Sequence, residues 1–392
     1  MLGKVLRMAA LSILLGYLGT GIAAPKDKYP KGLNPQAKQE IIDSGMSKYT
    51  GKFAPAASLD IGGGWTRHSF DPAGGAGPIC IAGTPYEVFS KAKNPAKLLI
   101  MLQGGGACWQ DFYFCNILAQ DQAPPMPALG IWGKGYDNGE SLLPNPLENW
   151  SVVYLPYCDG SVFSGDKDVA DSNFPFAPVR FHRGLRNLTA GIDLAKSLFP
   201  NAGRIMVAGS SAGGVGASTF AAFLARMAFG NHKKLTVFND AGTVVTNPAQ
   251  VDAIAARAND WGFGQFFPAS CYDCDAQGQV TSLIRWRLEN DTSIREAFYS
   301  TDGDLNNRLF MELPTQMDYR TLLLNGHDPL NAAYPDRYKR FIRSGASSHT
   351  ALQSSLLYLG TADGMPLYQW LADFPVPRPF WQDMVEDFVS LP

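Results

Sequence analysis

The segment Gly209-Ser210-Ser211-Ala212-Gly213-Gly214 carries the pattern G-x-S-x-G. In that pattern the central serine sits on a sharp strand-to-helix turn, where only small residues fit two positions to either side. Residues 204–208, Arg-Ile-Met-Val-Ala, read as a buried strand before it. Phe220, Phe223, Leu224 and Met227 recur at helical spacing after it. Ser211 would then hold its Oγ at a helix N-terminus, where unpaired N–H groups favour developing negative charge. That is the chemistry of nucleophilic attack on an acyl carbon. The same motif also fits a phosphate-binding turn or a plain tight turn.

A serine nucleophile needs a base. The chain has five histidines: His68, His182, His232, His327 and His349. Where a strand–elbow–helix unit carries the serine, acid and histidine follow it in the chain. His232 lies in the polar turn Asn231-His232-Lys233-Lys234, and His327 in Asn325-Gly326-His327-Asp328-Pro329, which reads as an exposed turn. His349 sits in the small-residue loop 345–350, after an apolar stretch, 338–342, that reads as a helix end. Small neighbours let an imidazole reach across a sheet edge, so His349 is the expected base.

The acid fixes the histidine tautomer and stabilises the imidazolium, which asks for a strand end beside the histidine loop. Asp240 follows the apolar run 235–238, and Asp318 follows the run 309–313. Asp318 is the expected acid; Asp240 remains an alternative, or a carboxylate that anchors the elbow. Gly104-Gly105-Gly106 after 97–102 supplies backbone N–H groups that no side chain crowds. With the N–H of Ala212 they would form an oxyanion hole. A glycine run is equally compatible with a flexible turn.

These groups need elements to hold them. Apolar runs at 97–102, 150–155, 204–208, 235–238 and 309–313 read as buried strands, with short strands at 79–81 and 86–89. Leu185, Leu188, Ile192, Leu194 and Leu198 mark a helix between two of them. Strands alternating with helices imply a mostly parallel sheet joined by right-handed crossovers. Residues 107–149 and 243–306 are rich in Pro, Gly and Asp and are expected to build lids and pockets. Residues 25–75, with weak periodicity, read as an N-terminal surface arm, and 76–392 as one catalytic domain.

Of 392 residues, 46% are hydrophobic and 17% charged, with a formal charge of −2. That excludes a disordered chain and removes the basic footprint of a nucleic-acid binder. Residues 1–24 read as an export signal, with Lys4 and Arg7 ahead of an apolar stretch and Gly21-Ile22-Ala23 as the cleavage site. The uncharged run 8–24 also stands at the lower length limit of a membrane anchor. Six cysteines, Cys80, Cys108, Cys115, Cys158, Cys271 and Cys274, fit an oxidising compartment, secreted or periplasmic. Six allow fifteen pairings. Cys271-Tyr272-Asp273-Cys274 reads as a local bridge, half of a zinc site or a redox CxxC, and no second CxxC or paired histidines support the zinc.

Beyond spacing, several blocks resemble the pectin acetylesterase family of Notum-like carboxylesterases. They are 80–86 (Cys-Ile-Ala-Gly-Thr-Pro-Tyr), 102–109 (Leu-Gln-Gly-Gly-Gly-Ala-Cys-Trp), 157–166 (Tyr-Cys-Asp-Gly-Ser-Val-Phe-Ser-Gly-Asp) and the elbow. The resemblance implies an α/β-hydrolase fold and metal-independent, cofactor-free hydrolysis of carboxylic esters. It places the nucleophile on Ser211, the acid on Asp318, the base on His349, and the oxyanion donors on Gly105, Gly106 and Ala212. It also implies the disulfides Cys80–Cys158, Cys108–Cys115 and Cys271–Cys274, and sets Trp109 and Phe163 near a pocket mouth. Ser210 and Thr350 stand where plant members carry cysteine, and Gly106 where some members carry tryptophan, as in a bacterial-type branch.

The expectation is a secreted, monomeric serine esterase that acts on an acetylated polysaccharide or a related small ester, with no nucleic-acid or membrane partner once the signal is cleaved. A lipase-like, thioester or polyester hydrolase with the same triad is the alternative, as is a non-catalytic binding protein on this fold.

Overall fold

Residues 98–102 alternate between two apolar faces. Leu98, Ile100 and Leu102 enter one buried cluster, while Leu99 and Met101 enter another. A strand apolar on both faces belongs inside a sheet covered from both sides. The computed structural model describes residues 32–72, 75–119, 129–274, 280–376 and 381–391, and shows that sheet. The export-signal segment lies outside the described residues.

Ten strands form the sheet. They are β1 (Ala57–Gly62), β2 (Trp65–Phe70), β3 (Tyr86–Lys91), β4 (Lys97–Leu102) and β5 (Ser151–Leu155). Then come β6 (Arg204–Ser210), β7 (Lys234–Asp240), β8 (Arg295–Thr301), β9 (Tyr338–Arg343) and β10 (Met384–Val385). Their spatial order is β1-β2-β3-β5-β4-β6-β7-β8-β9-β10. From β5 to β10 all pairs are parallel, and β1, β2 and β3 add an antiparallel edge. The protein is a mixed α/β fold with a mostly parallel central sheet.

One face is covered by the Gly184–Leu198 helix through Leu185, Leu188 and Ile192, and by the helix that follows the elbow. That second helix runs from Ala212 to Phe229 with a π-helical turn at Ala217–Ala221. The other face is covered by Leu357, Leu367, Trp370 and Phe374 near the C-terminus. Three disulfides, Cys80–Cys158, Cys108–Cys115 and Cys271–Cys274, join the six cysteines. Disulfides are compatible with an exported protein.

Three expectations change. Residues 25–75 are more than a surface arm: β1 and β2 extend the sheet, and the Pro35–Asp43 helix buries Ala37 and Ile41 in the core. The run 309–313 is no strand but the end of the Leu305–Phe310 helix and the turn after it. The strand at that place in the sheet is β8, inside the segment read as a lid insertion; its Glu296, paired with Arg287, breaks the apolar run that a sequence reader looks for. Residues 338–342, read as a helix end, form β9.

Candidate active site

Parallel register brings the functional loops to one edge. Ser210 lies opposite Asp240, Asp240 opposite Tyr299, and Thr301 opposite Arg343. The chain therefore leaves β6, β7, β8 and β9 at neighbouring points on the carboxyl edge, where open α/β sheets hold their ligands.

Ser211 leaves β6 at φ 54° and ψ −122°, a strained conformation for a residue with a Cβ. Such geometry costs about 1–3 kcal/mol and persists only where the surroundings impose it. Here they do. A Cβ on Gly209 would meet Gly213 O at 2.0 Å, and one on Gly213 would meet Leu102 O at 2.2 Å. The Ser211 N–H donates to Asp240 O at 2.8 Å, and its carbonyl accepts from Val215 N at 3.1 Å.

The glycine run is pinned against this turn. A Cβ on Gly104 would lie 2.7 Å from Ser210 O and 2.9 Å from Ser211 Cβ. Gly105 O accepts from Asn116 N at 2.8 Å, and Gly106 adopts φ 77° with its Cβ direction closed by Phe114 O. Gly105 and Gly106 line an open cleft with Ser211 and His349. Ala212, first residue of its helix, lines the adjoining pocket with Gly106 and Ser211. Its N–H is among the helix-end donors without an intrahelical acceptor.

His349 Nδ1 lies 2.6 Å from Asp304 Oδ2. Asp304 follows β8 by three residues and caps the Leu305–Phe310 helix, accepting from Asn307 N at 3.0 Å and from Asn307 Nδ2 at 3.1 Å. Its side chain is fully buried while His349 stays partly open to the cleft. Nearby Asp302 is engaged by Arg320, Gln316 and Ser344 and so is unavailable.

Asp318 is not brought to this site. It is exposed at the third position of the Gln316–Ala333 helix, where its carboxylate and Thr315 form a capping box. The cause is local: Asp318 follows the run 309–313, which forms no strand, whereas Asp304 follows the real strand, β8. A usable signal was present in Asp302-Gly303-Asp304, acids and a glycine just after the stretch Ala297-Phe298-Tyr299-Ser300-Thr301.

Asp240, the alternative acid, ties the elbow to the histidine loop. It accepts from Ser210 Oγ at 2.6 Å, Ala351 N at 2.8 Å and Leu352 N at 3.0 Å. Burial raises its pKa, and the Ser210 hydroxyl and the two N–H groups act the other way. It anchors the backbone two and three residues past His349.

Ser211 Oγ and the His349 ring share the cleft without a direct hydrogen bond in this conformation. Ligand-free sites commonly hold such pairs long, and they tighten around substrate. His327, read as an exposed turn, is fully buried in the Gln316–Ala333 helix, with Nδ1 2.5 Å from Tyr338 Oη. Burial pushes its pKa down to about 3. His232 is exposed, as its polar turn implied.

Beside Ser211 opens an apolar pocket of about 110 Å³. Trp109 lines it, with Trp261, Phe263, Phe310 and Met311, which sequence reading missed. Phe163 does not: it is fully buried against Tyr157, and its neighbours Val162 and Ser164 reach the pocket instead. Among the described residues no group of three or more His, Cys, Asp or Glu side chains is placed to hold a metal ion.

Fold and site together define a class: a mixed α/β protein with serine, histidine and aspartate gathered on the carboxyl edge of a mostly parallel sheet. The family model described as PAE: Pectinacetylesterase matches residues 71–261, and over that stretch the chain is a pectinacetylesterase-family sequence. This is a family of carboxylic ester hydrolases. The match takes in the glycine run and the elbow; Asp304 and His349 lie beyond it.

Proposed function

We propose that this protein is a secreted serine carboxylesterase on an α/β-hydrolase fold, releasing acetyl groups from a polysaccharide or a related ester. The observation that carries the reading is the 2.6 Å contact between Asp304 and His349 at the cleft where the strained Ser211 emerges. Asp304 holds His349 in the tautomer that leaves Nε2 unprotonated. Nε2 takes the Ser211 proton as Oγ attacks the ester carbonyl, and the N–H groups of Gly105, Gly106 and Ala212 receive the oxyanion. The tetrahedral centre collapses, the alcohol leaves with the proton from His349, and an acyl-serine remains. Water, deprotonated by His349, then releases the carboxylic acid and restores the serine.

The test is labelling by a fluorophosphonate probe together with turnover of p-nitrophenyl acetate. The reading requires that both vanish in Ser211→Ala. Unchanged turnover in that variant, or no labelling of the wild type, contradicts it. The apolar lining of the pocket favours a second reading, hydrolysis of longer acyl esters. A ladder of p-nitrophenyl esters separates the two, because a short pocket loses kcat/KM as the chain lengthens.

A further inference from the structure

The turn after β5 is held in a conformation that its residues avoid. Within residues 159–163, Asp-Gly-Ser-Val-Phe, Gly160, Val162 and Phe163 take φ of 68°, 49° and 62°. Glycine does so freely, but a β-branched residue at positive φ is a genuine outlier. Such strain persists only where the surroundings impose it, and it gathers at functional sites. Phe163 has a packing reason, full burial against Tyr157. Val162 has another: half-buried, it lines the pocket beside Ser211.

The group that imposes this turn is Asp159. Its Oδ1 accepts from Ser161 Oγ at 2.6 Å, Ser161 N at 2.8 Å and Phe163 N at 3.2 Å, so one oxygen brackets Val162 from both sides. Tyr157 Oη accepts from Val162 N at 3.1 Å and closes the bracket. Oδ2 is buried and, among the described residues, has no partner. Burial raises the pKa of this carboxyl to about 6, while the Ser161 and Phe163 donors act the other way. Neighbouring helices confine the turn from outside. A Cβ on Gly184 would lie 2.6 Å from Asp159 Oδ1, and one on Gly216, in the helix after the elbow, 3.0 Å from Val162 O. A turn that only reversed the chain would carry Gly or Asn at its left-handed positions and need no buried carboxylate to hold it.

We propose that Asp159 is a positioning residue that sets the acyl-chain preference, by holding Val162 in the left-handed conformation that keeps its side chain in the pocket wall. The proposal rests on the reading of Ser211 as nucleophile with this pocket as its acyl site. Asp159, fully buried, is not among the described residues that line the pocket or the cleft, so it acts through Val162. Without the bracket Val162 relaxes to negative φ, its side chain leaves the wall, and the pocket accepts longer acyl groups.

The test has two arms. Amide hydrogen exchange, read by mass spectrometry on the peptide that spans Ser161–Phe163, reports the bracket whether or not an ester is cleaved. It is slow in the wild type and faster in Asp159→Ala. The second arm is the kcat/KM ratio of p-nitrophenyl octanoate to p-nitrophenyl acetate at pH 8. Asp159→Ala raises the ratio about 10-fold or more, the usual effect of reshaping an apolar pocket by a few methylenes. Its kcat for acetate stays within about threefold of wild type, because no group that meets the reacting atoms is lost. Val162→Gly removes the wall directly and shifts the ratio the same way. The double variant goes no further than either single, since both act on one wall. Asp159→Asn keeps an acceptor oxygen and shows a smaller shift than Asp159→Ala. An unchanged ratio in Asp159→Ala or Val162→Gly, an equal loss for both esters, or shifts that multiply in the double variant overturns the proposal. Should Asp159→Ala not fold, Asp159→Asn and Val162→Gly decide: an unchanged ratio in Val162→Gly overturns the proposal. Turnover that survives Ser211→Ala would instead count against the reading of Ser211, with the exchange result standing apart from it.

Discussion

Asp304 Oδ2 lies 2.6 Å from His349 Nδ1 across 45 residues of chain. The contact joins the end of β8 to the loop after β9, neighbouring strands whose parallel register delivers both residues to one edge. Asp304 is held twice over, by Asn307 and by the helix it caps. A carboxylate fixed in this way presents one oxygen to the imidazole in one orientation.

Asp304→Asn keeps the shape of that contact and reverses its hydrogen-bond logic. It is expected to lower kcat by about 10²–10⁴-fold, the range for the third member of such triads. Asp318→Asn disturbs only an exposed capping box and is expected to cost about 1 kcal/mol of stability at most. Paired kinetics and thermal melts of the two variants decide between them. Activity lost in Asp318→Asn and kept in Asp304→Asn would reverse the assignment.

The anchor at Asp240 yields a separate expectation. Asp240→Asn turns an N–H₂ group toward donors that its carboxylate now accepts, from Ser210, Ala351 and Leu352. The histidine loop loosens, and kcat falls about 10–100-fold with little change in KM. Stability drops by about 2–4 kcal/mol, the usual effect of unsatisfying buried charge-assisted bonds. Ser210→Ala removes one of those donors and has a smaller effect, about 1 kcal/mol, non-additive with the first. Denaturant titrations of both singles and the double measure this directly; strict additivity contradicts a shared network.

Acid stability depends on buried histidines. His327 and His182 have pKa values lowered to about 3, chiefly by burial, against about 6.5 in the unfolded chain. Below pH ~6.5 the unfolded state takes up the proton first, so each removes about 1.4 kcal/mol per pH unit as pH falls toward 3. His327→Gln, which keeps an acceptor for Tyr338 Oη, abolishes its share. Between pH 7 and 5 the wild type is expected to lose about 2 kcal/mol more than this variant in urea unfolding. Equal losses would show that His327 is not held neutral.

The disulfides differ in the loops they close. Cys80–Cys158 spans 78 residues and Cys108–Cys115 spans 7. Loop-closure entropy gives the first about 4–5 kcal/mol and the second about 2 kcal/mol. Paired Cys→Ala variants, compared by denaturant midpoint, are expected to rank in that order. The opposite ranking would locate the stabilisation in native contacts.

Much of this arrangement is legible in the chain, and the exceptions share a cause. β4, β6 and β7 announce themselves because their apolar runs are buried on both faces, and Ser211 because glycines must flank it. β8 escapes because it carries the buried pair of Glu296 with Arg287, which breaks its apolar run. Losing β8 loses Asp304 and leaves Asp318 as the nearest acid in view. His349 is found through its small-residue loop, yet the anchor that holds that loop, Asp240, is a pairing across 111 residues that no local pattern encodes. Arg257 and Trp261 line the pocket only because a helix, invisible in a segment read as insertion, turns one face to it.

The central claim is covalent: an acyl group passes through Ser211. Rapid quenching of the wild type with p-nitrophenyl acetate, followed by peptide mapping by mass spectrometry, reads it without inference from rates. One acetyl adduct on the peptide that contains Ser211, absent from Ser211→Ala and accumulating in His349→Ala only if attack survives without its base, is the expected result. Hydrolysis that proceeds at full rate with an acetyl group on some other residue, or in Ser211→Ala, would contradict it.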